Sequence, residues 1–121
     1  MEIKFKKLTE NAQTPIKAHD DDAGFDLISR EDATIAPGYR VLVNTGIAIA
    51  IPTGWAGFIQ PKSGLALKRG ITVLNTPGLI DPGYRGEIGV VLYNTDSFRT
   101  YTVSEGEKIA QLVIVPTAGV S

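Results

Sequence analysis

The chain has 121 residues, with 12 basic and 13 acidic side chains, one histidine and no cysteine. This length suits one domain with a single core, residues 1–121. The balanced charge offers no basic excess for binding nucleic acid, and the lack of cysteine excludes disulfides and thiolate chemistry. With His19 as its single histidine, the chain is a poor candidate for a histidine metal site or a serine–histidine triad.

Short β-rich runs, separated by glycine and proline, predict an all-β domain built as a sandwich or barrel. The amino terminus has no apolar signal region and no apolar run reaches the length of a membrane span, so we expect a cytoplasmic protein without a membrane segment. Thirteen glycines and seven prolines in so short a chain favour oligomerisation. The predicted strands are 3–8, 39–51, 55–59, 71–74, 87–93, 98–103 and 109–115.

The first candidate functional residue is Asp26, which lies between apolar neighbours in the run 23–27. A carboxylate in such surroundings is costly unless it is paired. It could hold an arginine, an ordered water or the hydration shell of Mg²⁺. The simpler alternative is a local turn at the edge of a strand.

A short helix is predicted directly after Ser63, with Ser63 as its N-cap and Gly70 as its left-handed end. The free N–H groups of its first turn would attract an anion. Gly64 would let the backbone approach a phosphate, and Lys62 would add a full positive charge. The alternative is a capped helix with a surface lysine.

The segment 75–84 is predicted to fold back as a hairpin, with Asn75 and Asp81 on its arms. Open backbone groups and the amide of Asn75 could read the edge of a nucleobase. Tyr84 could lie along a sugar, and Asp81 is the candidate base for activating water. An ordinary hairpin, with Asn and Asp as turn residues, is the alternative.

The last candidate is Gln111 in the run 105–112. Strand periodicity places Gln111 on the same face as Ile109, where its amide needs a partner. A phosphate oxygen could fill that role, although a neighbouring backbone carbonyl is the commoner solution.

Taken in order, these motifs resemble those of the trimeric deoxyuridine triphosphatase (dUTPase) family. Four of the family's five motifs match, at 23–27, 61–66, 78–88 and 106–112, and the resemblance extends from residue 3 to about residue 116. It implies a jelly-roll-like β-barrel and a homotrimer with active sites between subunits. It also implies Mg²⁺-dependent hydrolysis of dUTP to dUMP and pyrophosphate, which limits uracil in DNA and supplies dUMP for thymidylate synthesis.

The resemblance assigns roles to individual residues. Asp81 would be the catalytic base, and Asp26 would lie near the metal, through water. The uracil and deoxyribose would be bound by Asn75, Gly78, Ile80 and Tyr84. The phosphates would be bound by Lys62, Ser63, Gly64 and Gln111.

Three departures from the family pattern affect these expectations. Lys62 and Lys108 stand where the family usually has arginine, and lysine lacks the planar two-pronged contact. Lys108 is therefore also a candidate ion-pair partner for Asp26. The third departure is at 118–121, where we expect the glycine-rich fifth motif, which closes over the nucleotide, to be absent. The alternatives are a catalytically weak or regulatory dUTP-binding protein and, less favoured, a dCTP deaminase.

Overall fold

The computed structural model describes residues 1–119 of the chain, so the expectation about the carboxyl-terminal tail lies partly outside the described residues. These residues form an all-β, jelly-roll-like barrel with one short helix. The elements are β1 (Lys4–Lys7), β2 (Gly24–Ile28), β3 (Ala33–Ile35), β4 (Arg40–Asn44), β5 (Ile47–Ala50), β6 (Trp55–Gln60), α1 (Ser63–Arg69), β7 (Ile71–Val73), β8 (Gly78–Ile80), β9 (Gly89–Asn94), β10 (Tyr101–Val103) and β11 (Lys108–Pro116).

The main sheet has the strand order β2-β11-β6-β8, and all of its neighbours are antiparallel. A second sheet has the order β4-β9-β7, and two strand pairs, β1-β5 and β10-β3, complete the barrel. Branched apolar side chains fill the space between the sheets, since burying them removes apolar surface from water. The members with 1% or less of their surface exposed include Leu27, Ile35, Val43, Ile47, Ile49, Leu92 and Leu112.

The predicted strand 39–51 is two strands, because the chain turns at Gly46. Gly46 has φ of 72°, in the left-handed region that favours glycine. A Cβ there would lie 2.5 Å from Thr9 Oγ1 and 2.8 Å from Ala12 Cβ. The turn thus depends on both the conformation and the small size of glycine.

The predicted helix is confirmed, but its start differs from the prediction. Lys62, not Ser63, is the N-cap residue, and it makes no side-chain capping bond. The side chain of Lys62 is instead drawn to the carboxylate of Asp26. Gly70 ends the helix with φ of 68°, as predicted.

The segment 75–84 does not form the predicted hairpin. β7 pairs with β9, whereas β8 pairs with β6, so the chain crosses between sheets at 74–77. Strand β2 was also absent from the sequence prediction, because glycine and aspartate are depleted in strands. Its pairing with the long strand β11 outweighs that weak propensity.

Within residues 1–119, the structure contains no helix long and apolar enough to cross a membrane.

Candidate active site

A cleft beside β8 brings together four of the predicted site residues. Its volume is about 160 Å³. β8 is an edge strand of the main sheet, so one side of its backbone faces this cleft without a strand partner. We call this site the β8 cleft. It is lined by Ile59, Asn75, Gly78, Leu79, Ile80, Tyr84, Glu87, Ile88 and Gly89.

Gly78 sets the shape of the cleft floor. It pairs with Ile59 across the sheet. A Cβ on Gly78 would lie 3.3 Å from the Ile59 Cβ and 3.5 Å from the Asn75 Nδ2. The missing side chain therefore lets the Asn75 amide lie close over the backbone of β8, where donors and acceptors of both kinds are offered together.

Tyr84 forms a wall of the cleft, with 45% of its surface exposed. Its hydroxyl donates a hydrogen bond of 2.8 Å to the backbone carbonyl of Glu87. The ring packs over Gly86, where a Cβ would lie 2.6 Å from the Tyr84 hydroxyl oxygen. The flat apolar face of this ring suits a sugar, while its hydroxyl stays satisfied within the protein.

Asp81 follows β8 directly and is exposed to solvent. Its backbone carbonyl accepts a 3.1 Å hydrogen bond from the Tyr84 N–H, which closes a turn between them. Asp81 does not line the β8 cleft. It lies beyond the end of β8 that adjoins Ile80, where its carboxylate is open to water.

An ion pair behind the cleft escaped the sequence analysis. Glu87 accepts a hydrogen bond of 2.7 Å from Arg30 Nε and another of 2.7 Å from the Gly46 N–H. The hydrogen bond from Arg30 holds the pKa of the Glu87 carboxyl below its ordinary value and raises the pKa of Arg30. Because 57 residues separate Arg30 from Glu87, no local sequence pattern links them.

A second polar site surrounds Asp26, which is only 7% exposed. Lys62 Nζ bonds to its Oδ1, and Lys108 Nζ lies 3.6 Å from its Oδ2. The predicted ion pair between Lys108 and Asp26 is thus confirmed, and Lys62 joins it. We call these three residues the Asp26 cluster. Beside it lies a cavity of about 300 Å³, lined by Ala18, Asp22, Ala23, Gly24, Asp26, Lys62 and Gln111.

Gln111 reaches this second cavity, but on a different face from the one predicted. The register of β11 shifts between Lys108 and Ala110, so Ile109 and Ala110 are both buried and Gln111 faces away from the core. Gln111 Nε2 donates a 3.0 Å hydrogen bond to the Pro61 carbonyl. That is the commoner partner weighed from sequence, and it ties β11 to the residues that precede α1.

Ser63 and Gly64 lie on the exposed first turn of α1, next to Lys62. A Cβ on Gly64 would meet nothing within 4 Å. The protein itself therefore does not require glycine at this position, which leaves open space for a ligand.

The two sites are separate within one chain. They share no lining residue among residues 1–119. β2 and β8 are the outer strands of the main sheet, three strand spacings or roughly 14 Å apart. The same residues also contain no cluster of three or more His, Cys, Asp or Glu side chains able to hold a metal ion.

The jelly-roll-like barrel with its two polar clefts defines the class of fold found in solved dUTPase structures. The dUTPase from phage phi11 of S. aureus superposes with a TM-score of 0.92 and 31% identity, covering 100% of this chain and 94% of that one. Its description concerns the coordination of a structural Mg(II) ion. The Staphylococcus bacteriophage 80alpha dUTPase with dUpNHpp gives a TM-score of 0.93 at 29% identity, covering 99% and 85%.

Sequence comparison places the chain more narrowly. The family model described as dUTPase matches residues 10–120. The deoxyuridine 5′-triphosphate nucleotidohydrolase of Tropheryma whipplei strain Twist is 56% identical over 114 residues, which are 94% of this chain and 78% of the relative. That of Clostridium tetani is 53% identical over 119 residues, 98% and 81% of the two chains. The chain belongs to the dUTPase family.

Proposed function

We propose that the protein hydrolyses dUTP to dUMP and pyrophosphate. The observation that carries the proposal is the β8 cleft. An unpaired strand edge lies beside the Asn75 amide there, with Tyr84 forming a wall and Asp81 following the strand. The relatives named above as deoxyuridine 5′-triphosphate nucleotidohydrolases support the choice of substrate.

Uracil is read in this proposal by the backbone of Gly78 and Ile80 together with Asn75. Fixed donors and acceptors that match uracil are mispaired against the reversed edge of cytosine. Each unsatisfied buried polar group costs about 1–3 kcal/mol, so two or three reversals reject cytosine strongly. The ring of Tyr84 packs along deoxyribose and leaves no room for a 2′-hydroxyl.

The phosphates are bound by Lys62, Ser63, Gly64 and Gln111. Gly64 leaves space for close backbone approach, and Lys62 supplies the charge. In the structure Lys62 is paired with Asp26, so we expect phosphate binding to draw Lys62 partly from that carboxylate.

Mg²⁺ fits these residues as an ion carried largely by phosphate oxygens and water. Such binding needs no protein cage, in keeping with the few carboxylates near the second cavity. Asp26 is the protein group that would face the ion through water, with Asp22 beside the same cavity. When bound, the ion neutralises charge on the phosphates.

Asp81 acts as the general base. Its carboxylate takes a proton from water, the water oxygen bonds to the α-phosphorus, and the bond from that phosphorus to the bridging oxygen breaks. The products are dUMP and pyrophosphate. Phosphoryl transfer depends chiefly on positioning and charge stabilisation, and base assistance adds about 10²–10⁴-fold.

We further propose a homotrimer in the cytoplasm, with each active site formed between subunits. The separation of the β8 cleft from the Asp26 cluster supports this arrangement, since a second subunit could bring the two kinds of site together. In the cell the reaction would limit uracil in DNA and supply dUMP for thymidylate synthesis.

Pyrophosphate release from dUTP with Mg²⁺ tests the proposal, with dCTP, dTTP and UTP as matched substrates. Release from dUTP alone is the expected result. Ammonia from dCTP would indicate a deaminase instead. Binding of dUpNHpp without any turnover of dUTP would indicate a regulatory nucleotide-binding protein, an alternative that the pairing of Lys62 with Asp26 favours.

A further inference from the structure

We infer that the Arg30–Glu87 ion pair is a positioning device that fixes Tyr84 against the sugar and thereby sets the preference for deoxyribose over ribose. The inference rests on the proposed function and extends it to two residues outside the matched roles. Neither Arg30 nor Glu87 needs to touch the nucleotide in this account. They act by holding the backbone on which the Tyr84 side chain depends.

The first step is the anchoring of Glu87. Its Oε2 accepts two hydrogen bonds of 2.7 Å, one from Arg30 Nε and one from the Gly46 N–H. The side chains of Arg30 and Glu87 are each only 27% exposed. A charged hydrogen bond that is partly shielded from water is stronger than an exposed one, so Glu87 is held firmly to the β4–β5 turn.

The second step runs from Glu87 to Tyr84. The Tyr84 hydroxyl donates to the Glu87 backbone carbonyl at 2.8 Å, its single side-chain hydrogen bond among the described residues. The next residue, Ile88, is bound on both sides: its N–H donates to the Ile47 carbonyl at 2.8 Å, and its carbonyl accepts from Thr45 Oγ1 at 2.7 Å. The turn at Gly46 therefore fixes the carbonyl that orients the tyrosine ring.

The third step is the consequence for the cleft. Both Tyr84 and Glu87 line it, so a shift of the Glu87 backbone moves the wall that contacts the sugar. Tyr84 is 45% exposed and has little packing of its own to hold it. Small displacements of a positioning residue cost roughly tenfold to a hundredfold in rate or selectivity.

Glu31 provides a matched control on the same arginine. Its Oε2 lies 3.6 Å from Arg30 NH1, and its Oε1 accepts a 3.0 Å hydrogen bond from the Asn44 N–H. Its side chain is 32% exposed, close to the value for Glu87. Glu31 thus resembles Glu87 in charge, partner and backbone contact, but it does not line the β8 cleft.

The test compares Glu87→Ala with Glu31→Ala by the ratio of kcat/KM for dUTP to that for UTP. A ratio is unaffected by the fraction of folded enzyme, so a merely structural defect leaves it unchanged. We expect Glu87→Ala to lower the ratio by about tenfold or more, and Glu31→Ala to leave it within a factor of about two. Glu87→Gln keeps an acceptor for Gly46 and should restore most of the ratio.

Tyr84→Phe keeps the proposal testable if Glu87→Ala does not fold. It removes only the hydrogen bond to the Glu87 carbonyl, so we expect a lower ratio, and little further loss when it is combined with Glu87→Gln. An unchanged dUTP to UTP ratio in Glu87→Ala or Tyr84→Phe would overturn the inference. If the unmodified protein releases no pyrophosphate from dUTP, the proposed function fails first, and this inference fails with it.

Discussion

Asp26 is the most buried carboxylate of the described residues, and a lysine contacts each of its oxygens. Sequence alone indicated that such a carboxylate needs a partner and that Lys108 could be one. It did not indicate that Lys62, proposed to bind phosphate, is held by the same group. The pairing of Lys62 matters for function, because one ammonium group then serves both the folded chain and the substrate.

We predict that Lys62→Ala raises KM for dUTP more than it changes kcat. A charged hydrogen bond to phosphate contributes about 1.5–3 kcal/mol, which corresponds to a KM increase of roughly tenfold or more. Lys68→Ala is the control, since Lys68 lies in the same helix and is exposed. Steady-state kinetics on both variants tests this, and equal KM values in the two would contradict the role of Lys62.

The lowered pKa of Glu87 predicts a dependence of stability on pH. The hydrogen bond from Arg30 places its folded-state pKa below its ordinary value of 4.5. Its contribution is therefore present above pH 4.5 and is lost as the pH falls through the folded-state pKa. We expect urea unfolding to show a steeper loss of stability below pH 4.5 in the unmodified protein than in Glu87→Gln. Parallel pH profiles would argue against this account.

At the scale of elements, β-strand periodicity predicted most of the strands, because alternation of apolar and polar residues follows directly from the strand geometry. It failed where a single residue breaks the period. The bulge after Lys108 changed the face of Gln111, and Gly46 divided the strand predicted for 39–51. Both features are set by contacts with distant segments, which no local pattern contains.

The site was predicted in parts for the same reason. The motif around Asn75 and Tyr84 is local in sequence, and its members do share one cleft. The partners of Glu87 lie 41 and 57 residues away along the chain, so only the folded structure joins them.

We predict that Gly46→Ala destabilises the protein more than Gly54→Ala. Both positions have positive φ, 72° and 91°, so each substitution costs about 1–2 kcal/mol in backbone strain. A Cβ at Gly54 meets nothing within 4 Å, whereas one at Gly46 collides with Thr9 and Ala12. That collision adds about 1–3 kcal/mol. Urea unfolding measures the difference, and equal losses would show that the turn relaxes easily.

At the scale of the whole molecule, we predict a particle with three times the 12.9 kDa mass of the chain. Sedimentation equilibrium measures this mass directly, and a monomer would contradict the proposed trimer. Mixed trimers test the arrangement further. Asp81→Asn and Lys62→Ala chains, each impaired alone at low dUTP, should regain activity when refolded together if the two residues come from different subunits.

The central claim is that the β8 cleft binds dUTP and that Asp81 drives its hydrolysis. The most direct measurement pairs pyrophosphate release with dUpNHpp binding for Asp81→Asn, a substitution that keeps size and polarity while removing the base. We predict dUpNHpp binding close to that of the unmodified protein and turnover lower by about 10²–10⁴-fold. Near-normal turnover in Asp81→Asn would contradict the claim, because the reaction would then proceed without the base assigned to it.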